Sequence, residues 1–310
     1  MMDTHSDVIV IGGGPAGLTA ALYCRRAGYS VTLFEGGLPG GKLNQTLEIE
    51  NYPGTPGTEG PSLSMAMLTQ AEEAGTKIVY EQVTSLRFGD GPDKAVITDS
   101  GEYTCRALII ASGSENRKLG VPGEERLAGR GVSYCATCDG GFFKGLDVAV
   151  CGGGDTALED AQYLSEICRK VYLIHRRNEF RGSAINVERT KSKPNVELVL
   201  SATVSEIEGG DKVESIRVRR SDGSEFSLPV SAIFIAIGST PITSFIPPGT
   251  IALAPDGSIE VDALMRTNIP GVFAAGDVRN TPLRQIVTAT ADGALAATSA
   301  GRYLSEVGRY

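Results

Sequence analysis

The most reactive cluster in the sequence is Cys135-Ala136-Thr137-Cys138-Asp139. A Cys-x-x-Cys pair can close a small, reversible disulfide, and its thiols can ionise more readily than an ordinary cysteine. The same spacing could also be half of a zinc site or a pair of buried thiols. Zinc would need two further ligands. Cys24, Cys105, Cys151 and Cys168 stand singly in stretches that read as core helix or strand. Of the two histidines, His5 lies in the terminal tail and His175 sits among arginines, so no metal is expected. Asp139 is either a helix cap or an acid–base group beside the thiols.

Two glycine turns flank this chemistry at a distance. Asp7–Ile11 is a short apolar run ending in Gly12-Gly13-Gly14-Pro15-Ala16-Gly17; a helical pattern runs from Ala16 to about Ala27, then a second apolar run, Val31–Phe34, ends on Glu35. This order opens a dinucleotide-binding βαβ unit. Gly12 permits the tight turn, Gly14 the approach of a pyrophosphate, and Gly17 close helix–strand packing. The helix N-terminus offers amide hydrogens to the phosphates, and Glu35 would accept hydrogen bonds from ribose hydroxyls.

The pattern returns 140 residues later: Asp147–Cys151, Gly152-Gly153-Gly154-Asp155-Thr156-Ala157, a helix to Cys168, and Val171–Ile174 ending at His175-Arg176-Arg177. Matched internal spacing at a fixed offset predicts two nucleotide-binding domains. The second copy lacks the terminal acid and carries Arg176, Arg177 and Arg181 instead. A carboxylate there would repel a 2′-phosphate, whereas guanidinium groups bind one. The first site should therefore take a nucleotide without that phosphate and the second NADP(H), although a solvated basic face would look the same. The dithiol precedes the second turn by only 14 residues (138 to 152) and belongs with it.

These elements need a framework. The 310 residues suggest two domains, and 39 glycines, about 13% against a usual ~7%, imply many tight turns. β segments over Lys77–Asp99 and Glu102–Ser112 should close the first domain, and Val196–Ile207, Val213–Arg219 and Val230–Ile237 the second. Gly271–Asp277 and the Ala-rich stretch to Leu304 read as strand then helix, too short to stand alone. They should pack back onto the first domain, leaving the second inserted. The expected fold is α/β: two Rossmann-like, three-layer ββα nucleotide-binding domains, residues 1–114 with 245–310, and residues 115–244. A formal charge of −8 argues against a nucleic-acid groove, and no apolar run approaches the ~18 residues of a membrane span. The N-terminus lacks a basic n-region, so a soluble, cytoplasmic protein is expected.

Taken together, these residues resemble the low-molecular-weight thioredoxin reductases. The resemblance rests on Gly12–Gly17, Gly40-Gly41-Lys42-Leu43, Glu50-Asn51-Tyr52-Pro53-Gly54, Ala107–Gly113, Gly131–Asp139, His175–Arg181, Gly271–Asp277 and Arg284-Gln285. It runs from about Asp7 to Leu304. Ser112, where Thr is commoner, keeps the hydroxyl, and Asn178 replaces the usual acid. The resemblance implies FAD at the first site, on Gly12, Gly14, Pro15, Ala16, Gly17, Glu35, Gly40, Gly41, Lys42, Leu43, Asn51, Ala111, Gly113, Gly276, Asp277, Arg284, Gln285 and Ile286. It implies NADPH at the second, on Gly152, Gly154, Asp155, Thr156, His175, Arg176, Arg177 and Arg181. Cys138 would exchange electrons with the flavin, Cys135 would attack a partner disulfide, and Asp139 would give or take the proton. Thioredoxin or a thioredoxin-like protein is the implied partner, and a homodimer the implied assembly. Rotation of the inserted domain about its crossings, near 114–118 and 241–247, would let the dithiol reach both flavin and partner. A flavin-dependent dithiol oxidase or a ferredoxin-linked reductase is the alternative, and such relatives would be expected to lack the arginine set.

Overall fold

The computed structural model describes residues 4–46, 49–55, 57–89, 91 and 93–308. Along the chain, β1 (His5–Ile11), α1 (Pro15–Arg26) and β2 (Val31–Phe34) form the first βαβ opening. There follow α2 (Gly60–Glu73), β3 (Lys77–Val79), β4 (Val83–Phe88), β5 (Lys94–Thr98) and β6 (Gly101–Ile110). The first crossing is β7 (Ser114–Asn116). Next come β8 (Val132–Ser133), α3 (Ala136–Asp139), β9 (Asp147–Gly152), α4 (Asp155–Ile167), β10 (Lys170–His175) and α5 (Ala184–Lys191). Strands β11 (Val196–Leu200), β12 (Ala202–Glu208), β13 (Ser215–Arg220), β14 (Glu225–Pro229) and β15 (Ala232–Ala236) follow. The return crossing is β16 (Ser239–Pro241), and β17 (Val272–Ala274) and α6 (Ile286–Glu306) end the chain.

The chain divides into two compact units, residues 1–115 with 240–310 and residues 116–239. The second is an insertion in the first. The sequence pattern places the return boundary at 244/245. It falls at 239/240 because β16 pairs with β7, so both crossings meet in one two-stranded ribbon.

In the first unit the sheet order is β3-β2-β1-β6-β5-β4, with β17 also paired to β6. β1, β2, β3, β6 and β17 run parallel, whereas β4, β5 and β6 form an antiparallel meander. β1 is buried on both faces, as a sheet covered on each side requires. Val8 and Val10 point to a core shared with Leu18, Ala20 and Cys24 of α1 and Ala296, Ala300 and Leu304 of α6. Ile9 and Ile11 point to the other side, with Leu86 of β4 and Val96 of β5. α1 and α6 approach closely because Gly293 faces α1: a Cβ there would sit 2.2 Å from the Ala16 carbonyl oxygen. The C-terminal strand and helix thus complete the first domain, as expected.

The second unit repeats the plan. Its parallel sheet runs β11-β10-β9-β15-β8, and a three-stranded antiparallel layer, β12-β13-β14, packs against it. Val148, Val150, Leu173 and Phe234 meet Leu158, Ala161 and Leu164 of α4 on one face. Ala149, Ile174, Ile233 and Ile235 meet Val204, Ile216 and Val218 on the other. Both units are therefore three-layer ββα domains. Among the described residues no helix is long and apolar enough to cross a membrane.

Candidate active site

In the second unit Cys135 and Cys138 are joined in a disulfide with Cα atoms 5.3 Å apart. The pair spans the single turn of α3, with Cys135 as its extended N-cap residue. The remaining thiols are buried, and burial pushes Cys24, Cys105 and Cys151 up to about 12 and Cys168 to about 11. They stay protonated and unreactive at neutral pH, which leaves the redox chemistry to the Cys-x-x-Cys pair. Among the described residues no group of three or more metal-ligating side chains gathers.

Asp139 ends α3 and stands at the N-cap of the short 3-10 turn Gly140–Phe143, but its side chain makes no capping bond; its carboxylate turns back to accept a 2.6 Å hydrogen bond from the Ser133 hydroxyl. Burial raises its carboxyl above the ordinary range, and the Ser133 bond opposes that rise. An acid held this way can carry a proton beside a thiol. Nothing in the sequence singles out Ser133, since a serine six residues before an aspartate has no signature.

The same unit carries the second glycine turn, between β9 and α4. Gly152 packs against Ala236 of β15, where a Cβ would come within 2.4 Å of the carbonyl oxygen. Gly153 rests on the His175 ring, and Gly154 faces open space. Gly154 is the N-cap of α4, which has no side-chain cap, so its first-turn amides are open to an anion. The His175 ring is buried, stacks on Phe180 at 5.3 Å, and has Nε2 3.1 Å from the Glu179 carbonyl. Burial first, then the charges of Arg181, Arg176 and Arg177, lower its pKa from the ordinary histidine value, against the opposing bond at the Glu179 carbonyl. His175 thus forms the floor under the turn. Asp155 accepts hydrogen bonds through Oδ1 from the Ser183 amide, the Ser183 hydroxyl and Asn186 Nδ2, each at 2.8 Å. It fastens the loop that follows Arg181, and the Arg181 amide itself donates to the Gly153 carbonyl at 2.7 Å. Arg176, Arg177 and Arg181 are exposed, as is Thr156. Among the described residues none of the three arginines has an ion-pair partner.

The first unit carries the other turn. Gly12 has φ +105°, and a Cβ there would lie 2.3 Å from the Ala111 carbonyl oxygen; one on Gly17 would lie 1.8 Å from the Gly12 oxygen. Gly14 faces open space and is the uncapped N-cap of α1, with Pro15 in the first turn. Glu35 accepts from the amides of Gly13, at 2.7 Å, and Gly37, at 2.8 Å, so it braces the turn from the end of β2. The Gly40 amide donates to the Gly13 carbonyl at 2.7 Å and draws the turn Gly41–Gln45 alongside, with Leu43 buried against Ile49 and Leu63. Lys42 Nζ then reaches Ser114 Oγ at 2.9 Å and Asp277 Oδ2 at 3.0 Å. Ala111 and Gly113 lie at the end of β6, and Gly276 packs on Ala16, with its amide donating to the buried Asp292 carboxylate. Arg279 pairs with Asp292 at 2.7 Å, a support that local sequence does not reveal. Asn51 Nδ2 donates to Gln285 Oε1 at 3.0 Å, and Gln285 starts α6 in a capping box just ahead of Ile286. Arg284 Nε is buried with no hydrogen-bond partner among the described residues.

Comparison with known proteins agrees with this picture. A family model described as pyridine nucleotide-disulphide oxidoreductase matches residues 6–293. A thioredoxin reductase of Listeria innocua is 47% identical over 305 residues, covering 97% of this chain and 94% of that one. The thioredoxin reductase of Bacillus subtilis is 43% identical, covering 97% and 95%. A crystal structure of thioredoxin reductase from Streptococcus pyogenes, 41% identical, superposes with a TM-score of 0.93 over 98% of this chain and 99% of that one. With a redox disulfide carried on one of two glycine-turn domains, and with likeness of this extent, the chain is an enzyme of the pyridine nucleotide-disulphide oxidoreductases, a flavoprotein disulfide reductase belonging to the thioredoxin reductase family.

Proposed function

We propose that this enzyme binds FAD in the first unit and NADPH in the second, and passes electrons through Cys135 and Cys138 to the disulfide of thioredoxin or a thioredoxin-like protein. The observation that carries the proposal is the Cys135–Cys138 disulfide with a protonatable carboxyl, Asp139, directly after it. The residues present fit both dinucleotides. Each glycine turn has one face open at Gly14 or Gly154 and leads into a helix with no side-chain cap. The orphaned Arg284 Nε fits a polar partner supplied by the flavin, and Asp277, Asn51 and Gln285 are at hand for its other polar groups. The three exposed arginines, with no ion-pair partner among the described residues, fit a 2′-phosphate, which favours NADPH over a ferredoxin-linked source. When bound, NADPH supplies an electron pair that FAD relays to the disulfide.

The chain's own residues then complete the reaction. The Cys135 thiolate attacks one sulfur of the partner disulfide, forming a mixed disulfide and releasing the other sulfur as a thiolate. The Cys138 thiolate attacks Cys135 Sγ, re-forming Cys135–Cys138 and freeing the second partner thiolate. Two electrons leave the dithiol, and its two protons end on the partner's thiols, with Asp139 taking one from Cys138 and handing it on. Glu35 shapes the FAD turn, His175 and Asp155 shape the NADPH turn, and a homodimer in the reducing cytoplasm follows from the family likeness. The test is NADPH-dependent reduction of thioredoxin by the purified holoenzyme. Turnover that is lost in both Cys135→Ser and Cys138→Ser supports the reading; turnover that survives in either variant refutes it.

A further inference from the structure

The proposed function gives Asp139 a proton to hold and release, and the inference drawn next rests on that role. A partly buried carboxyl that changes charge during turnover needs a neighbour that can serve both forms. Ser133 meets that need. It is the last residue of β8, 5% exposed and fixed opposite Phe234 of β15. Its hydroxyl oxygen accepts the Cys135 amide hydrogen at 3.1 Å. Its single hydrogen has two acceptors within reach, Asp139 Oδ2 at 2.6 Å and the Cys135 carbonyl at 3.3 Å. The Cys135 carbonyl already takes the Asp139 amide at 3.1 Å, and it has a second lone pair to offer.

We propose that Ser133 is the positioning residue for the proton on Asp139, its hydroxyl hydrogen turning between the Asp139 carboxylate and the Cys135 carbonyl as Asp139 loses and gains its proton. With Asp139 ionised, the hydrogen points to Oδ2 and stabilises the charge. With Asp139 protonated, its carboxyl O–H donates to the second lone pair of the Ser133 oxygen, and the Ser133 hydrogen turns to the Cys135 carbonyl. Neither state leaves a buried donor unmatched, which would otherwise cost more than a hydrogen bond gains. The anchor on the Cys135 amide holds the hydroxyl oxygen in place throughout. The hydroxyl therefore couples the Asp139 carboxyl to the backbone of the thiol that the proposed mechanism sends to the partner.

One neighbouring helix carries titratable groups, and of these Asp160 is raised to about 7 by burial and by Glu159. Titratable groups on the elements packed against α3 and β8 are Asp155, Glu159, Asp160, Tyr163 and Glu166 of α4, and β15 has none. Tyr163 lies against Gly140, and the Tyr134 hydroxyl is engaged with Glu124 at 2.8 Å. Burial raises the Asp139 carboxyl and the Ser133 hydrogen bond lowers it.

The test follows iodoacetamide alkylation of the reduced holoenzyme, together with thioredoxin-coupled turnover, from pH 5.5 to 9 in Ser133→Ala, Ser133→Thr, Asp139→Asn and the Ser133→Ala/Asp139→Asn double variant. Losing a hydrogen bond to the charged form raises the acid's pKa, so in Ser133→Ala the limb that disappears in Asp139→Asn should move to higher pH by about 1–2 units. Ser133→Thr, which keeps the hydroxyl, should restore the wild-type position, and Ser133→Ala added to Asp139→Asn should shift nothing. A limb that stays put in Ser133→Ala while vanishing in Asp139→Asn would overturn the role of Ser133 alone. A limb that persists in Asp139→Asn would overturn the role of Asp139 and this inference with it.

Discussion

Gly153 and Gly154 are adjacent in the second glycine turn, yet alanine at each should fail for different reasons. A Cβ on Gly153 would lie 2.1, 2.2 and 2.6 Å from Cε1, Nδ1 and Nε2 of His175. Ordinary contact begins near 3.5 Å, so the ring would have to move by about an ångström or more. It has little freedom, being buried, stacked on Phe180 and held at the Glu179 carbonyl. Displacing it costs a hydrogen bond, roughly 1 kcal/mol, and much of a ring stack, about 0.5–1.5 kcal/mol. Repacking strain brings the total to about 2–3 kcal/mol. In a unit of this size that lowers the melting temperature by roughly 6–12 °C. Gly154, by contrast, has φ −97° and ψ −178°, which any residue adopts, and a Cβ there meets nothing within 4 Å. Gly154→Ala should therefore change stability by less than about 0.5 kcal/mol. Its methyl instead fills the space proposed for the NADPH pyrophosphate, and binding should weaken roughly tenfold or more. Thermal melts by circular dichroism, paired with an NADPH titration of the same samples, separate the two effects. A wild-type melting temperature in Gly153→Ala, or wild-type NADPH affinity in Gly154→Ala, would refute the reasoning.

Three further outcomes follow from the site. Removing Arg176, Arg177 or Arg181 should raise the KM for NADPH roughly tenfold each and leave that for NADH unchanged, as steady-state kinetics with both nucleotides would show. After reduction, native alkylation at pH 8 should label Cys135 and Cys138 quickly; Cys24, Cys105, Cys151 and Cys168 should react only on unfolding, which mass spectrometry can count. Lys42→Met removes the partner of Asp277, and because the lysine is 40% exposed the loss should be about 1 kcal/mol or less. Reconstitution of the stripped protein should then show FAD affinity weakened by no more than roughly fivefold.

The elements that announce themselves in the sequence obey local rules. Glycines at fixed offsets, apolar runs ending at Glu35 and His175, and Cys-x-x-Cys can all be read from neighbours along the chain. The β2 strand lies over Val31–Phe34 as expected, and α1 begins at Pro15, one residue ahead of the helical pattern at Ala16. What the sequence hides depends on contacts between distant residues. The return boundary lies five residues earlier than expected because the β7–β16 pairing brings positions about 125 apart together. Asp292 and Arg279 support Gly276 from within α6 and the loop before it, and neither is marked by its neighbours. Ser133 looks like an ordinary strand residue until α3 folds Asp139 against its side chain. For Asp155 and His175, spacing fixes the location while packing decides the role. Asp155 fastens a loop, and His175 lies beneath a glycine.

The central claim is that electrons entering at the nucleotide leave through Cys135 and Cys138. It is tested most directly by an anaerobic NADPH titration of the purified protein, followed by flavin absorbance, in wild type and in the Cys135→Ser/Cys138→Ser double variant. The account predicts that full reduction of the wild type takes one more electron pair per flavin than the double variant, the extra pair residing in the dithiol. Equal consumption by the two proteins would show that the disulfide takes no electrons from the flavin and would contradict the account.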